Sequence, residues 1–174
     1  GGPIDVTVQS NVLTAKGQGM LDTMPVDFTL VRNFTPAEVL SKTEAKLTLN
    51  PAGLTALGVP ADFRVTGALP ATVTHTVQKD GRATLLFSGD ITPAGFALPL
   101  TPYEKKESAP GTLDMVLHFD AGGGLASISS LRLNAAPAAV EGDLTFAPGG
   151  KALSAATLRR AVFGDTDIAL AMRS

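Results

Sequence analysis

Two arms and the excursion between them decide the fold. They are Arg82-Ala83-Thr84-Leu85-Leu86-Phe87-Ser88-Gly89 and Thr112-Leu113-Asp114-Met115-Val116-Leu117-His118-Phe119. In the second arm Leu113, Met115, Leu117 and Phe119 alternate with Thr112, Asp114, Val116 and His118. Period-two alternation puts each set on its own face of a strand, and one face is the more apolar. Between the arms Ile91, Phe96, Leu98, Leu100 and Tyr103 are interspersed with Pro93, Pro99, Pro102 and Pro110. Proline withholds the N–H that a ladder needs, so the excursion reads as a loop with more apolar cargo than a loop requires. We expect these five apolar residues to form a lid or end-cap over the apolar face of the strands.

The same pattern extends outward in both directions. Upstream, strands are expected at residues 4–9, 12–19, 24–32, 43–49, 61–69 and 71–78, and Val26, Phe28 and Leu30 face opposite Asp27 and Thr29. Lys79-Asp80-Gly81 is a hairpin turn of the Asp-Gly kind. Asn50 is a good N-cap and Pro51 suits a first helical position, so one short helix starts there and ends at Gly58. Downstream, Ala121-Gly122-Gly123-Gly124 turns the chain into strands at 125–134 and 138–147, and residues 167–173 close it. Residues 153–163 are ambiguous in pattern. About ten or eleven strands joined by short turns make consecutive strands antiparallel neighbours. The fold class is therefore all-β: a long twisted antiparallel meander with one short helix, curled into a half-pipe or an open barrel. A single short helix cannot cover such a sheet, so the sheet is expected to cover itself.

Composition narrows the function. A chain of 174 residues suits one domain and can bury roughly 70% of the surface its unfolded form exposes. Hydrophobic residues make up 44% of it and charged residues 17%, against roughly 25% charged in an average domain. With eight Phe, one Tyr and no Trp, the apolar content is aliphatic. The net charge is -2 and no basic run is present, which argues against nucleic acid as a partner. Cysteine is absent, removing disulfides, thiolate metal sites and thiol nucleophiles together. No run of about 18 apolar residues occurs, so no transmembrane segment is expected in this piece. Since the sequence opens Gly1-Gly2-Pro3, we expect residues 1–174 to be a single β domain excised from a longer protein.

No constellation carries catalysis. His75 falls on an apolar strand face and His118 on a polar one near Asp120, and neither has metal-ligand spacing. The acids are scattered singly, and no serine sits in Gly-x-Ser-x-Gly. The triple glycine at 122–124 precedes a strand, which makes it a turn and not a phosphate cradle. Lys105-Lys106 and Arg159-Arg160 read as solvated basic pairs. We expect no enzyme, no cofactor and no metal. The positive signal is aliphatic surface on one face of a sheet without helices to bury it. It fits a filled barrel or sandwich, or a curved sheet left partly open to hold acyl chains. Each sheltered methylene is worth about 0.8 kcal/mol, so a chain of some sixteen carbons gains on the order of 10 kcal/mol from such a lining.

The order of segments resembles the middle domain of YhdP-like envelope proteins, in the AsmA-like superfamily that includes the TamB relatives. The resemblance runs through Gly19-Met20-Leu21-Asp22-Thr23-Met24-Pro25-Val26-Asp27-Phe28 with Arg32-Asn33-Phe34, and through Leu54-Thr55-Ala56-Leu57-Gly58. It continues in Gly81-Arg82-Ala83-Thr84-Leu85, in Asp90-Ile91-Thr92-Pro93-Ala94 and in residues 99–106. A Trp-Lys pair often ends this last segment in the family; here Tyr103 and Lys105 stand nearest to it. The resemblance implies a periplasmic protein, anchored to the inner membrane through a segment outside this chain. It implies a hydrophobic groove that conducts phospholipid toward the outer membrane. Its partners would be phospholipid acyl chains and adjacent β repeats of the full-length protein.

On that reading the groove lining is expected to be Val26, Phe28, Leu30, Leu47, Leu49, Phe63, Val65, Leu85, Phe87, Leu113, Met115 and Leu117. The lid is expected to be Ile91, Phe96, Leu98, Leu100 and Tyr103. The alternatives are a structural or assembly module with a closed, packed β core, and a lipocalin-like carrier of a small apolar ligand.

Overall fold

The computed structural model describes residues 2–22, 24–35, 37–56, 64–97, 103–150, 152–163 and 166–173. The chain runs through β1 (Ile4–Gln9), β2 (Val12–Leu21), β3 (Met24–Asn33), β4 (Val39–Leu49), a short helix α1 (Pro51–Ala56) and β5 (Arg64–Gly67). It continues through β6 (Leu69–Gln78), β7 (Ala83–Asp90), β8 (Ala94–Ala97), β9 (Glu104–Lys105) and β10 (Thr112–Phe119). The last four strands are β11 (Leu125–Ala135), β12 (Ala138–Phe146), β13 (Leu153–Phe163) and β14 (Thr166–Arg173).

Eleven strands form one sheet, ordered β1-β2-β3-β4-β6-β7-β10-β11-β12-β13-β14, and the other three form a small sheet ordered β5-β8-β9. Every pairing is antiparallel. Among the described residues β1 and β14 end the ladder without pairing to each other, so the large sheet is an open meander and not a closed barrel. The turns carry the chemistry their geometry needs. Ser10 and Asn11 join β1 to β2 with φ of 51° and 63°, the left-handed pair of a two-residue hairpin. At the β6–β7 turn Gly81 takes φ 83°, and the Asp80 carboxylate accepts the Arg82 N–H at 3.0 Å. The helix begins as its sequence suggests, with Asn50 Oδ1 accepting the Gly53 N–H at 2.8 Å.

Register explains why one face is apolar throughout. Cross-strand pairing lines up Val26, Leu47, Ala71, Gly89, Leu113, Leu133 and Val140 in one row. A second row holds Phe28, Ala45, Val73, Phe87 and Met115. A third holds Leu30, Thr43, His75, Leu85, Leu117, Ile128 and Leu144. The opposite face carries Asp27, Lys46, Thr72, Ser88, Asp114, Arg132 and Glu141, likewise in register. A slip of one residue in any strand would exchange the faces, so burying one of them fixes the register.

Three expectations are corrected. The excursion between β7 and β10 is not only a loop, because Ala94–Ala97 and Glu104–Lys105 form strands in it. Of the strand expected at 61–69, residues 61–63 lie outside the described residues and the rest is β5 followed by the start of β6, and β5 has left the meander to pair with β8. The sheet does not cover itself unaided, since the small sheet and α1 cover one end of it. The prolines exclude a long ladder, yet they leave two short stretches free to pair. Residues 153–163, ambiguous in pattern, are β13.

Candidate functional site

The apolar face divides into a sealed end and a half-exposed remainder. The sealed end is built where β3 starts, β4 ends, β6 starts and β11 ends. There Met24 (1% exposed), Leu47 (9%), Leu49 (4%), Leu69 (8%), Ile91 (2%), Ala71, Ala94 and Ala135 form one buried cluster. Val26, Leu54, Val73, Phe87, Phe96, Leu113 and Leu133 pack around it. Two excursions from the ladder supply the covering: residues between β4 and β6 give α1 and β5, and residues between β7 and β10 give β8 and β9. Gly67 marks the handover from the small sheet to β6. Its φ is 73° and a Cβ there would lie 2.3 Å from the Pro93 carbonyl oxygen, so no larger residue fits.

Two polar side chains fasten this cap. The Tyr103 hydroxyl donates to the Ala135 carbonyl on β11 at 2.6 Å, and its ring centroid lies 6.0 Å from that of Phe96 and 6.0 Å from that of Phe163. Burial pushes the Tyr103 hydroxyl pKa above its ordinary value. Lys105, expected to be solvated, is 2% exposed. Its ammonium donates to the carbonyls of Ala94 (2.7 Å), Lys106 (3.2 Å) and Thr92 (3.4 Å). Desolvation pushes its pKa below the usual lysine value, against the opposing pull of Asp90 and Glu107. Its neighbour Lys106 is exposed. Alternation in β9 sets Lys105 opposite the exposed Glu104, and Lys106 lies past the strand's end: Lys105 turns inward and finds carbonyls where water would otherwise be.

Away from the cap the face is half-buried. Phe28, Leu30, Leu85, Met115 and Leu117 lie there, none of them fully covered. Toward the β1 edge the cover is lost, and Ile4, Val6 and Val8 are 52%, 57% and 65% exposed. Thus Val26, Phe28, Leu30, Leu47, Leu49, Leu85, Phe87, Leu113, Met115 and Leu117 share one face of the large sheet, with Leu47 and Leu49 inside the sealed cluster. Val65 does not join them, because it sits on β5 opposite Phe96 in the small sheet. Phe63, Leu98 and Leu100 lie outside the described residues. Of the lid candidates, Ile91, Phe96 and Tyr103 belong to the cap. Ile4, Val6, Val8, Leu133 and Leu144 share the apolar face as well, and their alternation was the signal that could have included them.

The polar face carries three shallow depressions of about 550, 510 and 400 Å³, all bordered by Thr72. Asp27 and Lys46 line the first two, while Asp114 and Arg132 line the third. Charges of both signs alternate along the row, so no single-sign field forms there. On this face His118 Nε2 and Ser129 Oγ lie 2.8 Å apart, within hydrogen-bond distance. The Asp143 carboxylate accepts from Arg159 and from the Ser130 N–H at 2.9 Å; both bonds, Arg159's foremost, hold its pKa below the ordinary carboxylate range. Among the described residues no three His, Cys, Asp or Glu side chains are placed to hold a metal ion. No helix among them is long and apolar enough to cross a membrane. No family model, no curated protein and no solved structure matches this chain.

Proposed function

We propose that this chain is a non-enzymatic, lipid-binding and lipid-conducting segment. In this reading its half-exposed apolar face shelters phospholipid acyl chains, and the segment supports phospholipid movement between the inner and outer membranes of a Gram-negative envelope. One observation carries the reading: the large buried cluster of the eleven-stranded sheet's apolar face lies at its capped end, and Phe28, Leu30, Leu85, Met115 and Leu117 are only partly buried beyond it. Apolar side chains aligned in register over many strands give a continuous surface, and an acyl chain laid on it gains about 0.8 kcal/mol per sheltered methylene. The periplasmic setting, the anchor and the adjacent repeats come from the AsmA-like resemblance and belong to the same proposal.

Native mass spectrometry and lipid extraction of the purified chain test it. Bound acyl species are the expected result, and their loss in Leu117→Asp with the fold retained would place them on this face. A chain that binds no acyl species from vesicles or detergent defeats the reading. The second reading is a structural module with a packed core. It draws support from the sealed cluster around Leu47 and Ile91, and from the depressions lying on the polar face. On that reading, substitutions along the whole apolar face lower stability alike and affect no ligand.

A further inference from the structure

The apolar face changes character along its strands. Read away from the cap, the residues that β4 presents to it are Leu49, Leu47, Ala45, Thr43 and Ser41, so hydrocarbon gives way to hydroxyl. The neighbouring strands change at the same level. Arg32 follows Leu30 on β3 and pairs with Ser41, while His75 follows Val73 on β6 and pairs with Thr43. Opposed side chains stand about 5 Å apart at Cβ and diagonal ones about 7–8 Å, so Arg32 and His75 flank the two hydroxyls in one patch. The buried cluster lies at the other end of these strands.

Charge singles the patch out. Across β2, β3, β4, β6, β7 and β10 the register puts every Asp, Glu and Lys on the opposite face, and Arg32 alone carries a full charge on the apolar one. Among the described residues the ion pairs are Lys42–Glu44, Arg82–Asp80 and Arg159–Asp143, and Arg32 belongs to none of them. Its guanidinium carbon lies 6.0 Å from the centroid of the Phe34 ring. Arg32 is exposed, and Ser41, Thr43 and His75 are half-buried. A cation without an acid, beside two hydroxyls and an imidazole, is a donor-rich spot on a face that otherwise offers hydrocarbon.

We propose that Arg32, Ser41, Thr43 and His75 form a headgroup site, which takes the phosphate of an anionic phospholipid whose acyl chain runs along β4 toward the cap. The site rests on the acyl-chain reading of this face and adds to it where the head lies and which head is preferred. A guanidinium presents paired N–H donors to phosphate oxygens, and the hydroxyls and an imidazole N–H supply further donors around them. The spacing suits one acyl chain. Thr43 stands four residues from Leu47 of the buried cluster, about 13 Å at the strand rise, and one acyl layer of a bilayer is about 15 Å thick. Headgroup choice follows from charge. On these strands no carboxylate shares the face to pair with an ammonium, and Arg32 repels one, so a net anionic head is favoured over a zwitterionic one.

The test titrates the purified chain with phosphatidylglycerol and with phosphatidylcholine of identical acyl chains, each displacing a neutral fluorescent acyl glyceride. Phosphatidylglycerol is expected to bind about tenfold more tightly than phosphatidylcholine. Arg32→Gln, at an exposed position, is expected to abolish that preference with an unchanged circular dichroism spectrum. Thr43→Val is expected to weaken phosphatidylglycerol binding about threefold. Lys46→Gln removes one cation from the opposite face and is expected to leave the preference intact. Equal effects of R32Q and K46Q would reduce the preference to net charge, and displacement of bound lipid by inorganic phosphate would make the patch a free-anion site; either result overturns the proposal. If both lipids bind and Arg32→Gln leaves their ratio unchanged, the headgroup site falls while the acyl-chain reading stands. If neither lipid displaces the glyceride and the glyceride itself does not bind, both fall together.

Discussion

Truncating Leu47 and Leu117 to alanine, one at a time, separates a filled core from an open face. Both leucines point to the same side of the sheet, and only their cover differs. Leu47 is 9% exposed, sits in register between Val26 and Ala71, and lies under the cap with Leu49, Leu69 and Ile91. Its truncation leaves a cavity that a packed end cannot fill, and about 3 kcal/mol is lost. Leu117 lies half-buried between Leu85 and Ile128. Truncation there removes methylenes already bordering open space and leaves no closed void, so about 1 kcal/mol is lost. At this chain length 1 kcal/mol moves the melting temperature by about 2–4 °C, so L47A should fall about 6–12 °C and L117A about 2–4 °C. Urea titrations of delipidated protein, with unchanged slope, give the free energies. Equal losses at the two sites would mean that the face is covered throughout, and the reasoning behind the groove would be refuted. Aspartate sharpens the contrast: Phe28→Asp and Leu117→Asp should express as folded protein and fail to retain acyl chains, whereas Leu47→Asp should fail to fold.

Two further outcomes follow from the fastenings and the carboxylates. Tyr103→Phe removes the hydroxyl that donates to the Ala135 carbonyl, and a loss of about 1–2 kcal/mol is expected by urea titration, with faster amide exchange in residues 91–97 than in the large sheet. Asp143 has its folded pKa held down, chiefly by Arg159, and Asp90 likewise, chiefly by its hydrogen bonds to Thr92. A depressed carboxylate stabilises the fold above its unfolded pKa, and that contribution disappears as pH falls through the folded value. The melting temperature should therefore decline below about pH 4, and Asp143→Asn should flatten part of the decline. An identical acid limb in parent and variant would contradict this assignment.

The large sheet was legible because its strands announce themselves by local pattern. Alternation in residues 112–119, the Asp80-Gly81 turn and the Ser10-Asn11 turn each determine structure within a few residues, and hairpin logic then orders the strands. The cap was legible only in part: the apolar excursion marked Ile91, Phe96 and Tyr103 for it, but the strands that build it were not readable, for the opposite reason. β5 pairs with β8 some thirty residues later, each strand is four residues long, and a four-residue stretch such as Ala94-Gly95-Phe96-Ala97 has no alternation to read. Lys105 shows the same limit. In sequence it is half of a basic pair, and only the return of Thr92 and Ala94 beside it supplies the carbonyls that make its burial tolerable. Of the candidate site, the face was readable and so was the apolar excursion that supplies part of its cover, but not how far the cover reaches, because period two assigns sides and says nothing of what lies above them.

The two detours that build the cap leave the ladder at β4 and β7 and rejoin it at the adjacent strands β6 and β10. Neither interrupts a pairing in the large sheet, so the roof and the floor of this molecule are modular. Hairpins inserted elsewhere in the ladder would widen the floor without touching the roof. The detours could equally be shortened to tight turns, which would unroof the floor while its strand order stayed the same. For an engineer, the width of the apolar surface and the fraction of it kept covered are two independent dials on one chain.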